Sequence, residues 1–267
     1  MKKREVMNHY KALVFFDLDG TLLDADSEIS KENHQAILTL KKNDILPLIA
    51  SGRSPKEINQ ITKGTLIDSF VSLNGQYNVV ENKVVSKHVI PLKLIKELMR
   101  FSESFGHSLV CYTETEYATR YLTESMEKLY QLDHAPLPQI APDFYKEHEI
   151  YMLYLFSEEV AKDLLYQEKF SDIFTFFRDS PYSLAVVLKG QSKKAGIKEV
   201  IKTLDLDGVP TYAFGDGNND IGMFEAVDTA IAMDNASAHV KSHADYITKS
   251  HIKDGIRLGL KQFKLLD

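Results

Sequence analysis

The sequence predicts an α/β fold: a doubly wound parallel sheet with an inserted α+β cap domain over residues 84–187. Three observations carry that prediction. Residues 12–16 read ALVFF, and five apolar residues in a row suit a strand covered on both faces. Strand and helix patterns alternate before residue 84 and again after residue 187, and such alternation on both sides of an insert belongs to one sheet. Polar clusters then recur where predicted strands end, which is where this architecture binds ligands.

Taken in order, the strand at 12–16 ends in Asp17-Leu18-Asp19-Gly20-Thr21. A loop over 22–29 leads to a helix with Ser30 as N-cap, whose apolar stripe is Ala36, Ile37, Leu38 and Leu40. The second strand, 45–50, contains Pro47 and so has an imperfect ladder. It ends in Ser51-Gly52-Arg53-Ser54-Pro55, with Pro55 in the first turn of the next helix. Strand 70–73 closes on Asn74-Gly75, and 76–80 with 83–85 form a hairpin turning at Glu81-Asn82. The insert reads as a helix over 91–105, strands over 108–112 and 116–121, and a helix over 125–131. After a stretch broken by Pro136, Pro138 and Pro142 come strand 151–156, a helix over 157–170 capped by Ser157, and strands 174–177 and 183–188. From Ser192 the alternation returns: helix to Leu204, strand 211–214, helix 221–227, strand 229–232, helix 237–243 and strand 246–248. The core is thus expected from residues 1–83 and 188–267.

Composition narrows the function classes. With 267 residues, 44% of them hydrophobic, the chain can bury a sizeable core. Its net charge of −6 argues against nucleic acid as a partner, so a phosphate ligand must be drawn by local positive charge. The single cysteine, Cys111, cannot close an internal disulfide, which suits a reducing cytoplasm. A membrane span needs about 20 successive apolar residues, and the runs at 45–50 and 151–156 fall far short. Residues 1–10 begin with Lys2, Lys3 and Arg4 but lack the apolar stretch of a signal peptide, so they read as a solvated arm.

Four clusters carry chemistry. Asp17 and Asp19 put two like charges at the mouth of a buried strand, which costs free energy unless a cation or hydrogen bonds offset it. A divalent metal beside a nucleophile explains them; an acidic turn in which Gly20 supplies a positive φ is the plainer reading. Ser51-Gly52 offers a hydroxyl and backbone N–H groups to a phosphate oxygen, or is an ordinary strand–helix turn. Lys193, after Gly190-Gln191-Ser192, sits unfavourably for the helix dipole unless it reaches an anion, the alternative being a solvated lysine. The strongest cluster is Gly215-Asp216-Gly217-Asn218-Asn219-Asp220, rich in the oxygen donors that hard divalent cations prefer. Position 220 is Asp, so the third glycine of a dinucleotide fingerprint is missing. His239 and His243 have metal-ligand spacing but read as a solvated face. The aromatic segments 151–156 and 174–177 read as core of the insert.

Together Asp17-Leu18-Asp19-Gly20-Thr21, Ser51, Lys193 and the 215–220 cluster resemble the motifs of the haloacid dehalogenase (HAD) superfamily, in its order and context. The chain is similar to the Cof-type branch, and the likeness continues through Asn235-Ala236, Val240-Lys241, Ala244-Asp245 and Asp254-Gly255. The resemblance implies a Rossmann-like core and a mobile cap between the second and third motifs, because only the 51–193 interval has room for one. The segment 184–189 departs from relatives, which carry an acidic residue and a proline shortly before the lysine. Asp19, two residues past the nucleophile, matches the superfamily's phosphatases and phosphomutases. The resemblance further implies Asp17 as nucleophile, Asp19 as general acid and base, and Mg²⁺ held by Asp17, the Asp19 carbonyl and Asp216. Leu18, Ser51, Gly52, Lys193 and Asn219 would clamp the phosphate, with Asp220 supporting the metal from behind its ligands. The expected activity is hydrolysis of a small phosphorylated metabolite through an aspartyl-phosphate. A non-enzymatic sensor of phosphometabolites is the alternative, separable by turnover of an aryl phosphate. Tyr112, Glu114, Tyr117, Arg120, Arg178 and Tyr182 are cap residues that would face the substrate.

Overall fold

A computed structural model describes residues 10–132, 135–178 and 180–267, so the expected N-terminal arm lies outside the described residues up to residue 9. The first half of the core supplies β1 (Ala12–Phe16), α1 (Lys31–Lys42), β2 (Ile45–Ala50), α2 (Pro55–Ile61), β3 (Phe70–Ser72), β4 (Tyr77–Val80) and β5 (Lys83–Lys87). Then follow α3 (Leu92–Glu103), β6 (Ser108–Tyr112), β7 (Tyr117–Thr119), α4 (Glu124–Leu132), β8 (Gln139–Ile140) and α5 (Phe144–Glu147). The next elements are β9 (Met152–Phe156), α6 (Asp163–Phe170), β10 (Phe174–Arg178) and β11 (Ser183–Leu188). The chain finishes with α7 (Lys193–Leu204), β12 (Thr211–Gly215), α8 (Ile221–Phe224), β13 (Thr229–Ala232), α9 (Ala238–Lys241), β14 (Tyr246–Ile247) and α10 (Gly255–Gln262).

Among the described residues the strands form two sheets. The larger has the order β14-β13-β12-β1-β2-β3-β4-β5, parallel from β14 to β3 and antiparallel beyond. The chain winds outward from β1 through β2 and β3, then returns on its other side as β12, so the order reverses between β1 and β12. An open sheet of this kind leaves a crevice at the carboxyl ends of those two strands. The run ALVFF explains why β1 is central: Leu13 and Phe15 enter one apolar cluster with Ile197 and Val200 of α7, while Val14 and Phe16 enter another with Ile37 and Leu40 of α1. Phe16 stacks on Phe214 with ring centroids 5.3 Å apart, tying β1 to β12 just below the crevice. β2 pairs with β3 only from Ile49, so Pro47, which has no N–H, lies below the level where that ladder begins.

The smaller sheet, β10-β11-β9-β6-β7-β8, is built from residues 108–188. Ile95 and Leu98 of α3 with Tyr166 and Phe170 of α6 cover one face. Met126 and Tyr130 of α4 cover part of the other, and Leu73 of the core joins the same cluster. Gln76 Nε2 donates to the Tyr151 carbonyl at 2.6 Å, and Tyr77 meets Tyr151 edge to face, so residues 73–77 form a seam between the two sheets.

Several elements differ from the sequence reading, which has neither the short β8 nor α5. The helix expected over 157–170 starts at Asp163, because Ser157 Oγ accepts from Glu159 N in a local turn instead of capping a helix. The hairpin strand β5 continues to Lys87 in the larger sheet, with a register shift at Asn78/Val79. Its turn falls at Glu81-Asn82 as expected, both residues with positive φ (48° and 61°). The terminal helix α10, absent from the sequence reading, packs Ile256 and Leu260 onto the core.

Candidate active site

The site assembles at the carboxyl ends of β1, β2 and β12 and the first turn of α7. Asp17 follows β1 directly and is buried (7% exposed). Lys193 opens α7, whose N-cap Ser192 accepts from Ala195 N, and its ammonium is buried between two carboxylates. It donates to Asp17 Oδ1 at 2.6 Å and to Asp220 Oδ1 at 2.7 Å. A lysine in a first helical turn is thus explained by the anions it meets. Asp220 spends its other oxygen on the backbone, Oδ2 accepting from Asp216 N at 3.0 Å and Gly217 N at 2.9 Å. With both oxygens engaged, Asp220 shapes the loop and orients Lys193.

Asp216 points to the same place. Thr21 Oγ1 donates to its Oδ1 at 3.1 Å and Asn235 Nδ2 to its Oδ2 at 3.0 Å, while the same Asn235 amide donates to the Gly20 carbonyl at 2.8 Å. Gly20 is required twice over: its φ is +74°, and a Cβ there would lie 2.4 Å from Asp216 Oδ2. Carboxylate oxygens of Asp17, Asp216 and Asp220 all come within 4.8 Å of one another. Against three carboxylates stands one ammonium, so the cluster carries surplus negative charge in a partly desolvated place. The titration directions express this. Burial first, then the Asp220 charge, pushes the Asp17 carboxyl well above the usual carboxylate range, against the pull of Lys193. Asp216 is raised by the same two causes. Burial would lower the Lys193 ammonium, but Asp17 and Asp220 override it and leave it above its ordinary value. Asp17 Oδ2 receives no hydrogen bond from the described residues. A hard divalent cation, which takes carboxylate and carbonyl oxygens, fits this donor set and supplies the missing charge.

Ser51 is buried after β2, its Oγ accepting from Arg53 N at 3.2 Å. Asn219, in the turn before α8, makes no hydrogen bond through its side chain to any described residue, which leaves its amide open. Leu18 and Gly52 stand beside Asp17 and Ser51 in the chain. Asp19 is turned outward to Arg53, whose Nε and Nη2 hold its two oxygens at 2.9 and 2.7 Å. Arg53, Thr21 and Asn235 received no role from the sequence; the Asn235-Ala236 pair was visible only as part of a family pattern. Of the cap candidates, Arg178 is committed inside the cap to Asp163, at 2.6 Å from Nε and Nη2, and Arg120 pairs with Glu103. Tyr112 is buried against Tyr130 at 3.0 Å, and the Tyr117 hydroxyl donates to the Pro136 carbonyl. The Tyr182 carbonyl accepts from Ser157 N, and the Glu114 carbonyl accepts from Lys56 N across the seam. His243 turns its Nδ1 to the His239 carbonyl at 2.9 Å on an exposed face.

The model of the haloacid dehalogenase-like hydrolases matches residues 14–260, which include every motif just described. The chain belongs to that family. Its relatives include the Bacillus subtilis protein YkrA, named a candidate phosphatase, 37% identical over 261 residues that cover 95% of this chain and 98% of that protein. Among solved structures, a hypothetical protein from Geobacillus kaustophilus HTA426 is 35% identical, with a TM-score of 0.86 over 95% of this chain and 99% of that one. The subclass IIB sugar phosphatase BT4131 is 28% identical, with a TM-score of 0.82 and the same coverage. Within the haloacid dehalogenase-like hydrolases the chain therefore stands with the phosphatases. None of its described helices is long and apolar enough to cross a membrane.

Proposed function

We propose that the chain is a Mg²⁺-dependent phosphatase of small phosphomonoesters, such as sugar phosphates or phosphorylated cofactors, acting in the cytoplasm through an aspartyl-phosphate on Asp17. The observation that carries this reading is the state of the Asp17 carboxylate: one oxygen held by Lys193, the other without a donor among the described residues, beside an acidic group that needs a cation. Asp17, the Asp19 carbonyl and Asp216 would hold the metal, which when bound keeps Asp17 ionised and offsets the charge of an incoming phosphate. Asp17 Oδ2 attacks phosphorus, and Asp19, once released from Arg53 and carrying a proton taken up from solvent, gives that proton to the departing alkoxide. Asp19 then takes a proton from the water that attacks the phosphoenzyme, regenerating Asp17. Lys193, Ser51, the backbone N–H groups of Leu18 and Gly52, and the open amide of Asn219 stabilise charge on the transferring group. Asp220 keeps Lys193 and the 216–217 backbone in register with that task.

The unit from about residue 88 to 188 is the cap in this reading, its start moved past the expected residue 84 because β5 belongs to the larger sheet; it covers the crevice and chooses the organic half of the substrate. Hydrolysis of nitrophenyl phosphate with Mg²⁺, abolished by a chelator and restored by added Mg²⁺, tests the proposal. Turnover that persists without any divalent cation contradicts it.

A further inference from the structure

Two cations meet carboxylates at the site, and they are held very differently. The Lys193 ammonium is buried between Asp17 and Asp220, whereas the Arg53 side chain is 33% exposed and its partner Asp19 is 58% exposed. The Arg53 contact is a fork: Nε donates to Asp19 Oδ2 at 2.9 Å and Nη2 to Oδ1 at 2.7 Å. A carboxylate gripped through both oxygens is turned away from Asp17 and has neither oxygen to offer a leaving group. An ion pair so open to solvent is weak, however, and exchanges readily for another. The base of the guanidinium is fixed meanwhile, since Arg53 N donates to Ser51 Oγ at 3.2 Å and the Arg53 carbonyl accepts from Leu73 N at 3.1 Å. When Asp19 swings inward, Arg53 is therefore left at the rim as a cation without its carboxylate. The organic half of an ester begins at the oxygen that Asp19 must reach, so a group carried on it comes within range of the guanidinium that Asp19 leaves.

Resting on the phosphatase reading, we infer that Arg53 is a substrate-operated latch: it holds Asp19 idle and gives it up to a substrate whose organic half carries a second anion, a carboxylate or a further phosphate. The guanidinium presents to such a group the same two parallel donors that it presents to Asp19. One anion then replaces another on Arg53, so the charge at the rim stays balanced while Asp19 is freed. A neutral hydroxyl cannot make that exchange, because it leaves the guanidinium uncompensated. The rest of the crevice, with carboxylates at Asp17, Asp216 and Asp220, repels a second anion, which makes Arg53 the group that admits it.

Two matched pairs of esters test the latch: phosphoglycolate against ethyl phosphate, and phosphoglycerate against glycerol phosphate, the first of each carrying a carboxylate that the second lacks. With Mg²⁺, wild type should favour the carboxylated ester in kcat/KM by roughly 10- to 100-fold in at least one pair, the scale of hydrogen bonds between charged groups. Arg53→Gln should bring that ratio close to one by opposite movements. The carboxylated ester loses, while the neutral ester holds or gains up to about fivefold, because an open ion pair no longer restrains Asp19. Arg53→Lys keeps the charge without the fork and should leave an intermediate ratio. Turnover of nitrophenyl phosphate by both variants checks that they are folded. No preference in either pair, a ratio that Arg53→Gln leaves unchanged, or an equal loss on both esters of a pair overturns the inference. Wild type that hydrolyses nitrophenyl phosphate but shows no preference defeats the latch alone. Failure on every phosphomonoester with Mg²⁺ defeats the phosphatase reading and the latch with it.

Discussion

At the scale of single residues, Lys193 is the pivot of the site, because it is a buried cation that both Asp17 and Asp220 touch. Lys193→Met would leave two buried carboxylates uncompensated, and removing one partner of a buried ion pair typically costs about 3–5 kcal/mol. Urea unfolding of the metal-free variant should show a loss of that order, and Mg²⁺ should recover part of it. A variant as stable as wild type would mean that the carboxylates are solvated or protonated. Gly20→Ala puts a methyl group where Asp216 Oδ2 lies, at a backbone angle that disfavours it, and should weaken Mg²⁺ binding measured by calorimetry. Equal affinity would exclude Asp216 as a ligand. Much of this chemistry was legible in the sequence: paired acids after an apolar strand, and a lysine where a helix dipole disfavours one. Arg53, Thr21 and Asn235 were not legible, because their roles depend on hydrogen bonds made across as many as 215 positions of chain.

At the scale of elements, the site depends on how its turns start helices. Ser192 caps α7 and thereby sets where Lys193 begins; losing such a cap costs about 1 kcal/mol. Ser192→Ala should therefore lower the melting temperature slightly while reducing turnover more than that loss of stability explains. Proportionate effects would show that the cap has no part in aiming Lys193. Gly75 faces the same turn. Its φ is +90°, and a Cβ there would meet the Ser192 carbonyl oxygen at 2.2 Å. Elements of the core were readable because burial on both faces leaves runs such as ALVFF and because Ser30 and Pro55 mark helix starts. Ser157 misled for a physical reason: a serine hydroxyl can satisfy a nearby N–H in a local turn as well as at a helix end. α10 was missed, although Gly255 and Gly259 are tolerated there because the helix lies close against Lys249 and Phe214.

At the scale of the whole molecule, the two sheets meet along residues 73–77, and the charge of the crevice couples folding to pH and metal. Asp17 and Asp216 have raised carboxyl pKa values, by burial first and then by the Asp220 charge. A carboxyl that holds its proton more tightly when folded favours folding while protonated. That contribution is lost as pH rises from about 4, the ordinary carboxylate value, through the raised value. The raised ammonium of Lys193 stays charged throughout that window and adds no slope. Metal-free protein should lose stability as pH climbs, and saturating Mg²⁺ should raise its Tm more at about pH 7.5 than at about pH 5. A Tm shift that is the same at both would contradict the surplus charge assigned to the cluster. The two-sheet division was legible because alternation stops and restarts, whereas the seam was not, since Gln76, Tyr77 and Tyr151 announce nothing of their contact. The central claim is that Asp17 carries the phosphoryl group. Its most direct test is rapid quenching of Asp19→Asn with nitrophenyl phosphate and Mg²⁺, followed by mass spectrometry of the peptide containing Asp17. A nitrophenolate leaves without needing a proton, while the water of the second step still needs a base. A fast burst of nitrophenolate with phosphate retained on Asp17 is the predicted result; slow release without a burst, and an unmodified Asp17 peptide, would contradict it.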